Sequence, residues 1–509
     1  MRMSEHFYLP VFLSHISIMK KSFVLLLLCL PMIAEAQYVF KSIDVNGSGY
    51  ESNPYQYDIV GNKMTMGAYI DSTSEALWTS DGTQTGTQKL ADLTIDYLSL
   101  NRSAIFKNKL WFYAYSPTTG WEPYLSDGTA SGTNMLKKTS LSNNGSPFPD
   151  HVIFGNNLIF TAYDDNHGTE PWISDGTEVG TRLISDLTPG LAESYPYSYV
   201  EMNGKVYFIN MMDPLSFPDS ANLWVTDGTD TGTHKIIEMK ISNGATIGSS
   251  LAVYNNKLYF GNTDGLHGNE LWVSDGTDTG TKMFYDIFPG SFGSEPQQLK
   301  IVNGKLYFYT KHHTLFVTDG TVAGTKDLNT TIGDLNFLNN SSVAYNGLLY
   351  FAGASGGTLS VTDGHTVKNI GSNFIMPDRF TLYHGKLYFT AESIGNGRQL
   401  FVSDGTDQGT YMLVPDANNI KFNALVYTTY LVVLNDELFF SADYNRIGRE
   451  LWSLKDIFPV SVADVTNNDA ITLYPNPNDG SFKLKIPNSK VKSIEVVNVS
   501  GQVVYHTNP

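Results

Sequence analysis

Cysteine is all but missing from this 509-residue chain: Cys29 is the only one, and it lies in an apolar run near the N-terminus. A single thiol excludes any disulfide within the chain and any thiolate metal cluster, so stability must come from packing. Basic charge is scarce as well, with 33 Lys and Arg against 50 Asp and Glu for a net charge of −17. No basic cluster is interleaved with aromatics to neutralise a phosphate backbone, and no nucleic-acid partner is expected. Long hydrophobic runs are lacking too. The apolar stretch from Phe23 to Leu30 falls well short of the roughly 20 residues a membrane-spanning helix needs, so no transmembrane segment is expected in the mature chain. Neither a His-Glu-x-x-His signature nor a Gly-Lys-Ser phosphate loop is found, and no carboxylate pair stands out. Catalytic, cofactor and metal residues are therefore not assigned.

What is abundant is glycine (45), tyrosine (30) and phenylalanine (28), a composition that favours short strands and tight turns over helices. At the N-terminus Lys20-Lys21, the apolar run and Ala34-Glu35-Ala36 have the order of a signal peptide over 19–36, with Met19 as the start and 1–18 as a doubtful upstream extension. Export is the expectation.

A hydrophobic-aromatic step running into Asp-Gly recurs eight times, with aspartates at Asp81, Asp127, Asp175, Asp227, Asp275, Asp319, Asp363 and Asp404. The intervals are 46, 48, 52, 48, 44, 44 and 41 residues, a spacing typical of propeller blades. A second recurring run, such as Asn203-Gly204-Lys205-Val206-Tyr207-Phe208, puts a hairpin-turn signal before alternating apolar residues. This run occurs nine times, the last leading to Glu450-Leu451-Trp452-Ser453 with Lys455 in the aspartate's place. Each unit reads as four strands, and four short strands make a blade. The last unit lacks its exit strand, whereas 39–44 near the mature N-terminus resemble one, so the two ends are expected to pair and close the ring. The fold class is all-β: a β-propeller over 37–458 of nine blades, or eight with one irregular unit around Leu359 to His365. A linker (459–470) and a partial β-sandwich-like domain (471–509) follow.

Trp78, Trp172, Trp224, Trp272 and Trp452 stand at one position of the third strand, with Tyr124, Phe316 and Phe401 at the same place in other units. A stripe of rings at blade spacing is expected to be inter-blade core. The Asp-Gly-Thr loops invite a calcium reading, but each offers one repeated carboxylate where a hard cation wants several. The expected role is structural: Asp accepts turn N–H groups, Gly supplies a positive φ, and Thr hydroxyls satisfy strand ends. No cofactor is expected, and calcium is the alternative left open. Glu170, Glu270 and Glu450 recur before the Leu/Pro-Trp step and are expected to accept loop N–H groups.

Variation gathers in the connections between second and third strands and in the blade-to-blade links. Ligand-loop candidates are Asp164, Asp165 and His167, then Asp213, then Asp264 and His267; variable loops on a rigid scaffold are where binding usually lives.

The repeat Glu270-Leu271-Trp272-Val273-Ser274-Asp275-Gly276-Thr277 resembles the ELWxxDGT repeat proteins exported by bacteria, over roughly 60–456. That resemblance implies a propeller-like unit without an assigned activity. The tail, from Leu473-Tyr474-Pro475-Asn476-Pro477 through Gly501-Gln502-Val503-Val504, resembles the type A sorting domain of the type IX secretion system, here without its second half. It implies a Bacteroidota-type cell, the type IX machinery as partner, and release or attachment at the outer surface. The expected function is non-enzymatic binding of an extracellular polysaccharide or protein through one loop face. The alternatives are a secreted carbohydrate-active hydrolase or lyase on the same scaffold and a structural adhesin.

Overall fold

The computed structural model describes residues 37–47, 51–95, 103–141, 150–211, 220–240, 251–312, 314–331, 342–353, 357–426 and 429–457, with four short strands of the C-terminal tail. The upstream extension, the signal peptide and the linker lie outside the described residues. The described chain folds as strands and turns with no helix, so none is long and apolar enough to cross a membrane.

Nine four-stranded antiparallel sheets follow one another as blades. Blade I consists of Tyr55–Val60, Lys63–Tyr69, Glu75–Ser80 and Gln88–Ala91. Blades II to VIII span 104–135, 151–183, 196–240, 252–285, 297–331, 342–370 and 374–413. Blade IX takes Leu431–Leu434, Glu437–Ala442 and Glu450–Ile457 from the end of the chain and its outer strand, Gln37–Ile43, from the beginning. The count is thus nine, and the unit that sequence singled out as irregular is a complete blade with strands Ser342–Tyr345, Leu348–Ala352, Leu359–Thr362 and Val367–Ile370.

The hairpins follow from their turn residues. Asn203 and Gly204 have φ of 55° and 70°, and Asn255 and Asn256 of 48° and 58°; two successive positive φ values give the turn whose twist matches the flanking strands. In such a meander the first-to-second and third-to-fourth turns share one face of the ring. The second-to-third loops and the blade-to-blade links share the other. We refer to these as the turn face and the link face. First strands of successive blades run against one another and form the inner wall.

Nine apolar clusters hold the ring, each built from two successive blades. The cluster at the seam joins Phe439 and Leu451 of blade IX to Met64, Met66 and Trp78 of blade I, with Ile43 and Val45 from the closing strand. Third-strand rings sit in these interfaces facing a second-strand partner, as in Phe160 opposite Trp172 and Phe440 opposite Trp452. Trp78, Trp172 and Trp452 are buried, while Trp224 and Trp272 are half-buried. In blade VII Ser360 takes the ring's place, opposite Phe351. In the tail, Thr472–Tyr474 pairs with Lys483–Lys485 and Ile494–Val497 with Val503–Thr507.

Candidate ligand-binding site

On the turn face the loops are near copies. Asp81 Oδ1 accepts the Thr83 amide (2.9 Å) and hydroxyl (2.7 Å), the Thr83 hydroxyl accepts the Gly86 amide (2.9 Å), and Thr87 donates to the Thr83 carbonyl (2.7 Å). The same set recurs on Asp127, Asp175, Asp227, Asp275, Asp319 and Asp404. The glycine after each aspartate has φ between 81° and 94°. A Cβ on the second glycine, for example Gly280, would overlap the Asp275 carboxylate. Thr hydroxyl and amide donors hold the carboxyls of Asp81, Asp175, Asp227, Asp275 and Asp319 below the usual range. Blade VII departs: its loop is shorter, and Asp363 accepts the amides of His365 (2.8 Å) and Thr366 (3.0 Å). Among the described residues no group of three or more His, Cys, Asp or Glu side chains is arranged to hold a metal ion.

On the link face, blades II, III, V and IX each carry a buried glutamate that holds the following link. Glu170 accepts the Leu187 amide (3.1 Å) and the hydroxyls of Thr188 (3.0 Å) and Ser194 (2.6 Å), all in the link to the next blade. Glu270 does the same for Ile287, Phe288 and Ser294. Glu450 accepts the amides of Val45 and Ser52, so at the seam this contact ties the last blade to the start of the ring. Glu122, which the repeat count passes over, accepts the Thr139 amide and hydroxyl and the Ser140 amide. Its signal was legible, since Glu122-Pro123-Tyr124 parallels Glu170-Pro171-Trp172. Burial raises all four carboxyls, Glu170 to about 7, against the opposing pull of the hydrogen bonds.

The predicted ligand loops are Asx-type turns on this face. Asp164 Oδ1 accepts the amides of Asn166 (2.8 Å) and His167 (2.9 Å) and lies 2.9 Å from His167 Nδ1. Asp264 does likewise with Leu266 and His267, and its Oδ2 is 2.7 Å from His267 Nδ1. The partner of each histidine is the aspartate three residues earlier. The hydrogen bond to that aspartate raises each imidazole, and Asp264 is lowered to about 2, first by the Leu266 amide. Asp165 accepts the Leu141 amide of the preceding link. The two histidine loops belong to blades III and V, with blade IV between them, and Asp213 lies outside the described residues. A Gly-x-Ser-x-Gly spacing occurs at 353–357, with residues 354–356 outside the described residues; the strands on either side, Leu348–Ala352 and Leu359–Thr362, pair antiparallel.

None of those loop residues borders the cavity that opens on the link face where blades IX, I and II meet. It encloses about 460 Å3, and its walls include Tyr55, Tyr69, Glu75, Trp121, Thr429 and Ser441. The Tyr55 ring lies on Gly67, where a Cβ would overlap it, and its hydroxyl donates to Glu75 Oε2 (2.9 Å). Burial, then the charge of Glu75, raises the Tyr69 phenol. Trp121 packs its ring against Tyr115 at 5.7 Å between centroids. A volume in the range of roughly 300–1,000 Å3 with a few convergent polar groups suits a small ligand.

Residues 472–509 match the secretion system C-terminal sorting domain. The chain is thus a nine-bladed β-propeller followed by a sorting domain, which supports secretion to the cell surface or outside. No curated protein matches it. Among solved structures it is similar to the computationally designed Ika8 protein, at 13% identity and a TM-score of 0.37, covering 82% of this chain and 100% of that one. It is also similar to puromycin hydrolase, at 12% identity and a TM-score of 0.37, covering 78% of this chain but 59% of the hydrolase. The β-propeller domain of the Trilobed protease from Pyrococcus furiosus matches at 13% identity and a TM-score of 0.37, over 72% of this chain and 99% of that domain.

Proposed function

We propose that the chain is a secreted or surface-held ELWxxDGT-repeat propeller that binds an extracellular partner, polysaccharide or protein, through its link face and catalyses no reaction. One observation carries this reading. The turn face repeats the same hydrogen bonds from blade to blade, whereas the link face departs from its own repeat and opens a cavity of about 460 Å3. On this reading the aspartates from Asp81 to Asp404 and the third-strand tryptophans are scaffold, and calcium is not required. Export begins with a signal peptide at 19–36 in a Bacteroidota-type cell and proceeds through type IX recognition of 471–509. The reading is tested by presenting the full chain to arrays of polysaccharides and of surface proteins. Binding that is lost on link-face substitution and kept on turn-face substitution supports it, and binding that follows the turn face overturns it.

A carbohydrate-active enzyme is the second reading, favoured by the Asp164–His167 and Asp264–His267 pairs, in which a carboxylate orients an imidazole. Turnover of a polysaccharide that disappears in His167→Asn or His267→Asn, with binding retained, would establish it in place of the first.

A further inference from the structure

We infer that the cavity at the closing seam is a saccharide site, in which a neutral sugar ring lies against Trp121 while Glu75 accepts its hydroxyls; this rests on the link-face binding reading above. The argument begins from the register of blade I. In blade III the buried Glu170 stands opposite Ala162, two positions before the pair of Phe160 and Trp172. The equivalent position in blade I, opposite Ala68 and two before the pair of Met66 and Trp78, is Ala76. The glutamate has moved by one residue, to Glu75 opposite Tyr69. A one-residue shift in a strand sends the side chain to the other face of the sheet. Blade I has therefore given up the carboxylate that holds the link and placed one in the cavity wall.

Trp121 occupies the same position in blade II, opposite Tyr115, where blade III has Thr169. Of the seven tryptophans, five stand at the repeated third-strand position and Trp111 is fully buried, which leaves Trp121 as the half-buried one that the repeat does not explain. Two neighbouring blades thus place a carboxylate and an indole at one variable position, and both side chains border one cavity.

The remaining walls supply neutral polar groups. Ser441 is 3% exposed, and its hydroxyl has no partner among the described residues. Thr429, 1% exposed, accepts the Val426 amide at 3.1 Å. A buried hydroxyl left without a partner is destabilising unless a ligand or water satisfies it. Aromatic rings, one carboxylate and scattered hydroxyls are the complement of a molecule with apolar ring faces and many hydroxyls. An ammonium group would use the rings and Glu75 but leave the hydroxyl wall unanswered.

The test is calorimetric titration of the full chain with cello-, malto-, xylo- and chito-oligosaccharides, and with tetramethylammonium as a cation probe. One sugar series should bind, and Glu75→Gln and Trp121→Ala should each weaken it about tenfold or more. Thermal unfolding of each variant serves as the control for folding, and Glu75→Gln keeps an acceptor for Tyr55. Tetramethylammonium binding without any sugar, or no binding by the four series, overturns the inference. Sugar binding that is equal in folded variants removes this cavity while leaving link-face binding intact. Failure of the full chain on both polysaccharide and protein arrays removes the wider reading as well.

Discussion

The two faces of the ring are made by the same blades and obey different rules. On the turn face seven loops make the same local hydrogen bonds around an aspartate, and neighbouring blades add contacts at their rims, as from Lys107 to the Asp175 carbonyl and from Ser185 to Asp230. On the link face a buried glutamate reaches out of its own blade to hold the next link, and its partners are 17 or more residues away, as with Glu122 and Thr139 or Glu450 and Ser52. Local satisfaction of the central carboxylate makes such a loop copyable. Dependence on a neighbour makes a loop sensitive to context, and blade I, with Ala76 in the glutamate's place and Glu75 beside it, borders a cavity. Repetition therefore locates the frame, and departures from it locate the candidate site.

Several substitutions would break or sharpen this contrast. The largest effect is expected at the interfaces common to both faces. Trp172→Ala should cost about 3–5 kcal/mol in denaturant-induced unfolding, because the ring is buried between two blades and its loss leaves a cavity. Glu450→Ala should follow at about 2–3 kcal/mol, with the amides of Val45 and Ser52 left unpaired at the seam. Limited proteolysis should then cut near the N-terminus sooner, and cleavage that does not change would mean the seam is held by the strand pairing alone.

A third expectation concerns pH. The Glu170 carboxyl is raised by burial to about 7, above its unfolded value of 4.5, so the folded ring binds more protons between those values. Its contribution to stability is complete below about 4.5 and is lost as pH rises toward 7. Turn-face carboxyls such as Asp275 are lowered, and their contribution is present above about 3.8 and lost as pH falls through the folded value. The melting temperature should therefore rise modestly as pH falls from 7.5 to about 5 and drop under stronger acid. Glu170→Gln should flatten the upper limb and leave the acid limb in place.

Smaller still should be Asp275→Ala, because that carboxylate is exposed and serves one loop of many; its melting shift should be less than that of either buried substitution. The smallest expected effect is that of a chelator, which should leave the melting temperature of the full chain unchanged. A drop on chelation would show that the turn-face aspartates hold a cation and would reverse the reading of that face.

Strand periodicity and turn residues made most of the frame legible. Asn-Gly and Asp-Gly act within a few residues of themselves, so the hairpins, the nine units and the orphan N-terminal strand could be read from the chain. Blade VII looked irregular because it had lost its ring and its Gly-Thr ending, yet antiparallel pairing with Leu348–Ala352 and Val367–Ile370 was enough to make its third strand. The Asp-x-x-His pairing is not legible from spacing alone, because only the Asx turn that the aspartate makes with the intervening amides brings the imidazole onto its carboxylate.

What the sequence by itself determined is therefore the all-β repeat, the blade count to within one unit and the sorting tail, since each depends on contacts within one repeat or on a contiguous pattern. Only the tertiary structure decided where a ligand could sit. The cavity draws Tyr55, Glu75 and Trp121 from the first two blades, Ser441 from the last and Thr429 from the link before it, two groups more than 300 positions apart in the chain. They meet because a closed ring forces its ends together. The displacement of one glutamate onto the other side of its strand gains meaning only when the register shows which side faces the cavity.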